Sequence, residues 1–108
     1  MKAMLEGCRK AARSDATFVW VPAAVLETHE VAPWQDMPAW VPGTGETAGF
    51  SRIDVRKAVG KGLAFRPIEE TATDTLAWWK TLPAERTAKL KAGLDPEKEA
   101  KVLAALKK

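Results

Sequence analysis

The residues best suited to recognise a ligand are Trp34 and Trp40, which flank Asp36 in a stretch broken by Pro33, Pro38 and Pro42. Aromatic side chains in a proline-broken loop line ligand sites more often than those in a helical stripe do, although packing beneath the loop is the alternative use of both rings. The remaining chemistry is sparse. Cys8 and His29 are the only soft ligand pair, whereas a zinc site takes about four ligands, so a metal centre is not expected. As nucleophile and base they lack a third, orienting group. Cys8 falls on the apolar side of its predicted helix, which suggests a buried and inert thiol, and His29 reads as a surface residue closing a short helix.

Carboxylates offer no better pair. Glu69 and Glu70 are adjacent and point to different sides of a helix, while Glu27 and Glu30 lie one turn apart; helix-start and surface roles account for both pairs. Gly43-Thr44-Gly45-Glu46-Thr47-Ala48 has the G-x-G-x-x-A spacing of a dinucleotide turn, which lets a backbone approach a pyrophosphate at a helix start. Its surroundings are wrong for that use. Pro42 precedes it, and Gly49-Phe50-Ser51 follows where a helix should begin, so a connecting loop is the expected structure.

The elements that must carry these residues follow from periodicity. Met4, Leu5, Cys8, Ala11 and Ala12 share one side of a helix over residues 2–13, in which Gly7 costs about 1 kcal/mol. Thr17–Val21 is a β-branched and aromatic run of strand length, and Pro22 opens a short helix through Val25, Leu26 and His29. Ala39–Val41 reads as a short strand in the proline-broken stretch, and Leu63–Phe65 as a short extended piece stopped by Pro67. A helix from Val55 to Gly60 should end on Gly62 in the left-handed conformation, and another spans Glu69–Lys80. Pro83 starts a short helix toward Lys91. Asp95-Pro96-Glu97 is a helix start with Pro at its first position, ahead of the stripe Val102, Leu103 and Leu106. The expected class is α/β, mostly helical with a few short strands.

A chain of 108 residues fits one domain spanning 1–108, and its five Trp and three Phe can furnish a packed core. No apolar stretch approaches the roughly 20 residues that cross a bilayer, and Glu6, Arg9 and Lys10 interrupt any signal-like start, so the expected compartment is the cytoplasm. One cysteine agrees with a reducing location. The net charge of +3 is concentrated toward the carboxyl end. There lysines alternate with Glu85, Asp95, Glu97 and Glu99 as on a solvated helix, so nucleic-acid binding is not expected.

The run from Leu5-Glu6-Gly7-Cys8-Arg9 to Trp20-Val21-Pro22 resembles the late part of an NAD-dependent epimerase/dehydratase of the extended short-chain dehydrogenase/reductase family of bacteria. So do Val31-Ala32-Pro33-Trp34 with Met37-Pro38-Ala39-Trp40-Val41-Pro42, then Asp54–Ala58, Gly62-Leu63-Ala64-Phe65-Arg66-Pro67-Ile68, and Thr73–Trp78. The resemblance covers nearly the whole chain. It implies the carboxyl-terminal, substrate-side lobe of a Rossmann-type enzyme, with the Rossmann core absent from this sequence. NAD or NADP is the cofactor of the full-length family, and none is expected to bind this chain alone. The family's Tyr-x-x-x-Lys has no counterpart, because the chain contains no tyrosine. By the same resemblance Trp34, Trp40, Phe50 and Arg52 face substrate, the rings as walls and Arg52 as an anion partner. The implied partners are a small-molecule substrate and a Rossmann domain. The resemblance also implies self-association through apolar surface left on the first helix and at Phe18–Val21. A small protein-interaction module, and weak nucleic-acid binding through the lysine-rich tail, are the other readings of the sequence.

Overall fold

The computed structural model describes residues 1–107 and contains six α-helices. These are α1 (Lys2–Ala12), α2 (Ala23–Thr28), α3 (Arg56–Gly60), α4 (Ile68–Lys80), α5 (Ala84–Ala88) and α6 (Pro96–Leu106), with single 3₁₀ turns at Gly45–Thr47 and Phe50–Arg52. The mostly helical character agrees with the sequence. The short strands do not. Among the described residues the only β pairing is an isolated bridge between Pro33 and Met37. Thr17–Val21 is irregular, leaving Val19 and Trp20 exposed, whereas Leu63–Phe65, expected only as an extended piece, lies outside any helix or ladder with Leu63 and Phe65 exposed. Strand propensity expresses itself only when a neighbouring strand accepts the ladder hydrogen bonds, and no second run is placed to do so. At Ala39–Val41 the backbone itself forbids a strand, since Ala39 has φ 62° and the Trp40 N–H donates to the Met37 carbonyl in a turn.

The helix ends are built locally. The Gly62 N–H donates to the Val59 carbonyl and the Leu63 N–H to that of Ala58, both at 3.0 Å, with Gly62 at φ 99°: a Schellman closure of α3. α2 closes the same way without glycine. Glu30 takes φ 53°, its N–H donates to Glu27, and the Val31 N–H donates to the Leu26 carbonyl at 2.9 Å. The closure brings Val31 onto Leu26, and both side chains are buried. At α6 the Asp95 Oδ1 accepts from the Glu97 and Lys98 N–H groups, and Pro96 occupies the first turn.

The chain resolves into two compact units, each made of two sequence segments: Met1–Phe18 with Val55–Lys89, and Val19–Asp54 with Leu90–Lys108. In the first, α1 packs on α4. Gly7 is the only buried residue of α1, because a Cβ there would come within 2.6 Å of Ile68 Cγ2. Lys10 Nζ reaches Glu69 Oε1 at 2.8 Å, and the Arg9 guanidinium lies 5.7 Å from the Phe18 ring centre. In the second unit Leu26 (4% exposed), Val31 and Val102 (3%) form the core, backed by Val21, Met37, Trp40 and Leu94.

Candidate functional site: the aromatic loop of the second unit

Residues 31–41 form a loop fastened from several directions. Its start is set by the Ala32 N–H, which donates to Asp36 Oδ2 at 2.8 Å, and by the Asp36 and Met37 N–H groups, which return to the Ala32 carbonyl. The same Oδ2 accepts from Lys98 Nζ at 2.8 Å, and that ammonium also donates to the Glu30 carbonyl at 2.9 Å. Gln35 adds two bonds to the other segment of its unit, its Nε2 donating to the Lys91 carbonyl and its own carbonyl accepting from the Gly93 N–H. The Lys98 hydrogen bond first, then that from Ala32, holds the Asp36 carboxyl below its usual range.

On this fastened loop Trp34 sits at φ 65°. The left-handed region costs a residue with a Cβ about 1–2 kcal/mol, and bulky residues avoid it. The conformation throws the indole outward, 53% exposed, where it meets Phe50 edge-on at a ring separation of 5.3 Å and an interplanar angle of 88°. Phe50, 49% exposed, belongs to the 3₁₀ turn that ends with the exposed Arg52. Trp40 lies elsewhere. It is half-buried against Leu26, Val31 and Val102, and its carbonyl accepts from the Trp34 N–H at 3.4 Å. Of the four residues singled out in the sequence, Trp34 and Phe50 are therefore in contact, Arg52 shares the Phe50 turn, and Trp40 packs beneath the loop.

The Gly43–Ala48 segment does not fit a dinucleotide. Gly45 has the positive φ of a tight turn at 59°, yet only one 3₁₀ turn follows, with no helix start to receive a pyrophosphate. The Thr47 hydroxyl instead folds the segment on itself by donating to the Pro42 and Thr44 carbonyls. Cys8 is exposed, contrary to the buried thiol expected, because the apolar side of α1 that carries it is open. Glu69 and Glu70 diverge as expected, the first to Lys10 and the second to Arg66. His29 closes α2 and borders an open polar cleft of about 440 Å³ with Glu30, Asp95 and Lys98. No group of three or more potential metal ligands occurs among the described residues, and none of their helices is long and apolar enough to cross a membrane.

Sequence periodicity missed the fastening of the loop. Lys98 reads as one more lysine on a solvated helix, and nothing in the order of residues signals that Trp34 adopts a left-handed conformation. Comparison with protein-family models, curated proteins and solved structures gave no match to this chain.

Proposed function

We propose that the chain is the substrate-side part of an enzyme of the NAD(P)-dependent epimerase/dehydratase kind. In this reading Trp34 and Phe50 form an aromatic wall, and Arg52 provides a cation for a polar or anionic small molecule. The observation that carries the reading is the strained, outward Trp34. A bulky residue kept in a disfavoured conformation, on a loop tied by Asp36, Lys98 and Gln35, is a placed side chain, and strain of this kind clusters at ligand sites. The sequence resemblance supplies the enzyme class. Hydride chemistry and the Tyr-x-x-x-Lys acid–base pair belong to a Rossmann-type portion, so this chain positions substrate and does not catalyse by itself.

Two tests bear on this. DNA preceding the Met1 codon should encode a strand, a glycine-rich turn and a Tyr-x-x-x-Lys; a sequence without them would remove the enzyme class. Titration of the chain with NADH and NADPH, followed by tryptophan fluorescence, should show no saturable change, and a micromolar transition would contradict the division of labour proposed.

A further inference from the structure

Lys98 is no part of the aromatic wall, yet its ammonium holds both ends of the stretch that carries Trp34. Nζ donates to the Glu30 carbonyl at 2.9 Å and to Asp36 Oδ2 at 2.8 Å, so residues 31–35 are bracketed by one side chain. Within the bracket the backbone takes a rare form. The Gln35 N–H donates to the Pro33 carbonyl at 2.8 Å across Trp34, whose φ is 65°; this is the strained form of γ-turn, with the indole at its apex. Glu30, at the edge of the bracket, is itself left-handed at φ 53°. Such conformations persist only where the surroundings over-determine the backbone.

The ties made by Gln35 and by Lys98 differ in what stands behind them. Gln35 bonds to the Lys91 carbonyl and the Gly93 N–H, within an irregular run whose residues 89–93 are all exposed. Lys98 stands on α6, where its own N–H is taken by the Asp95 cap. One turn further along the same side of that helix, Val102 is buried among Leu26 and Val31. The Lys98 tie therefore refers the loop to the core of its unit, and the Gln35 tie refers it to exposed backbone. Both Lys98 and Asp36 are largely shielded, so this ammonium exchanges its carboxylate for water less readily than an open surface lysine does.

We propose that Lys98 is a positioning residue for the aromatic wall: by holding Glu30 and Asp36 together from α6, it keeps the γ-turn closed and the Trp34 ring against Phe50, and so sets the fit of a ligand through a ring it does not supply. This deepens the reading of Trp34 and Phe50 as a substrate wall, and rests on it.

Nuclear magnetic resonance of the full chain tests this with no ligand present. Trp34→Phe identifies the Trp34 indole N–H among the five by its disappearance. In the parent, cross-peaks should join the rings of Trp34 and Phe50, and others should join Leu26 to Val102. Lys98→Met removes the ammonium and keeps an unbranched stem; the ring cross-peaks should be lost and the Trp34 indole signal should shift, with the Leu26–Val102 set unchanged. Lys98→Arg, whose cation can donate to both oxygens, should restore the ring cross-peaks. The proposal is overturned if the ring cross-peaks survive in Lys98→Met, or if arginine does no better than methionine. Loss of the Leu26–Val102 set in both variants also overturns it, because Lys98 would then support the core and not the ring. None of these results bears on the enzyme class, which the DNA before the Met1 codon and the nucleotide titration decide.

Discussion

Asp36 and Lys98 are 62 residues apart in sequence and 2.8 Å apart in space, and this pair closes the loop that carries Trp34 onto α6. Only a fraction of each side chain reaches solvent, 17% for Asp36 and 33% for Lys98, unlike the more open Lys10–Glu69 pair. Because the Asp36 carboxyl is held below its ordinary value, the folded state binds its proton less readily than the unfolded chain. Its contribution is complete above the usual carboxylate range and disappears as pH falls through the lowered folded value. Thermal melts over a pH series should show this loss on the acid side, and Asp36→Asn should melt lower at neutral pH with a flatter acid limb. A variant as acid-sensitive as its parent would refute the assignment.

Gly7→Ala tests the helix crossing. Alanine improves helix propensity by about 1 kcal/mol, but its Cβ would sit 2.6 Å from Ile68 Cγ2, and overpacking of this kind costs about 1–3 kcal/mol. The expected outcome in urea denaturation is a net loss of up to about 2 kcal/mol. Combining it with Ile68→Ala, which removes the clashing methyl, should give a smaller total loss than the two single changes added. Simple additivity would show that the two residues do not meet.

Asp95→Ala should lower stability by about 1 kcal/mol, since two N–H groups at the start of α6 lose their acceptor. Asp95→Ser should recover most of it. Denaturation curves for the three proteins measure the difference, and equal stability for aspartate and alanine would remove the cap from the account.

Trp34→Gly separates a placed ring from a structural one. Glycine relieves the left-handed backbone cost of about 1–2 kcal/mol, which offsets part of what is lost with the Phe50 edge contact, about 0.5–1.5 kcal/mol, and with the buried half of the indole. The melting temperature should therefore fall only modestly, with the fold intact. In the enzyme proposed above, the same change should raise KM for substrate. Unfolding of Trp34→Gly would make the ring a structural element and end its case as a substrate wall.

Leu26→Ala should cost about 2–4 kcal/mol, because Leu26 joins Val31 and Val102 in a core too small to close around the gap. Urea unfolding is the measurement, and a loss below about 1 kcal/mol would place the core elsewhere.

Local signals in the sequence found the helices well. Asp95-Pro96, the Glu69–Glu70 start of α4 and Gly62 after α3 each act within one turn of the chain, so each was legible by residue type. Thr17–Val21 failed because a strand is a property of pairs of segments, and its propensity found no partner. The aromatic loop was half legible. Pro33, Pro38 and Pro42 announced an irregular stretch, and Trp34 and Phe50 do meet, yet Trp40 turned inward onto Leu26. Nothing local could assign Lys98 to Asp36 or Gln35 to Gly93, since those contacts depend on a second segment arriving from far along the chain.

That dependence has a topological consequence. Each unit draws on one stretch from either side of the other, the first enclosing Val19–Asp54 and the second enclosing Val55–Lys89. One backbone cut between Asp54 and Val55 would strand α1 from α4 and the aromatic loop from α6, leaving neither unit whole on a single fragment. Each unit must also close a loop of tens of residues before its contacts form, a cost that slows folding more than it weakens the folded state. Fragments split at that bond should fold only when mixed, both units appearing together or not at all.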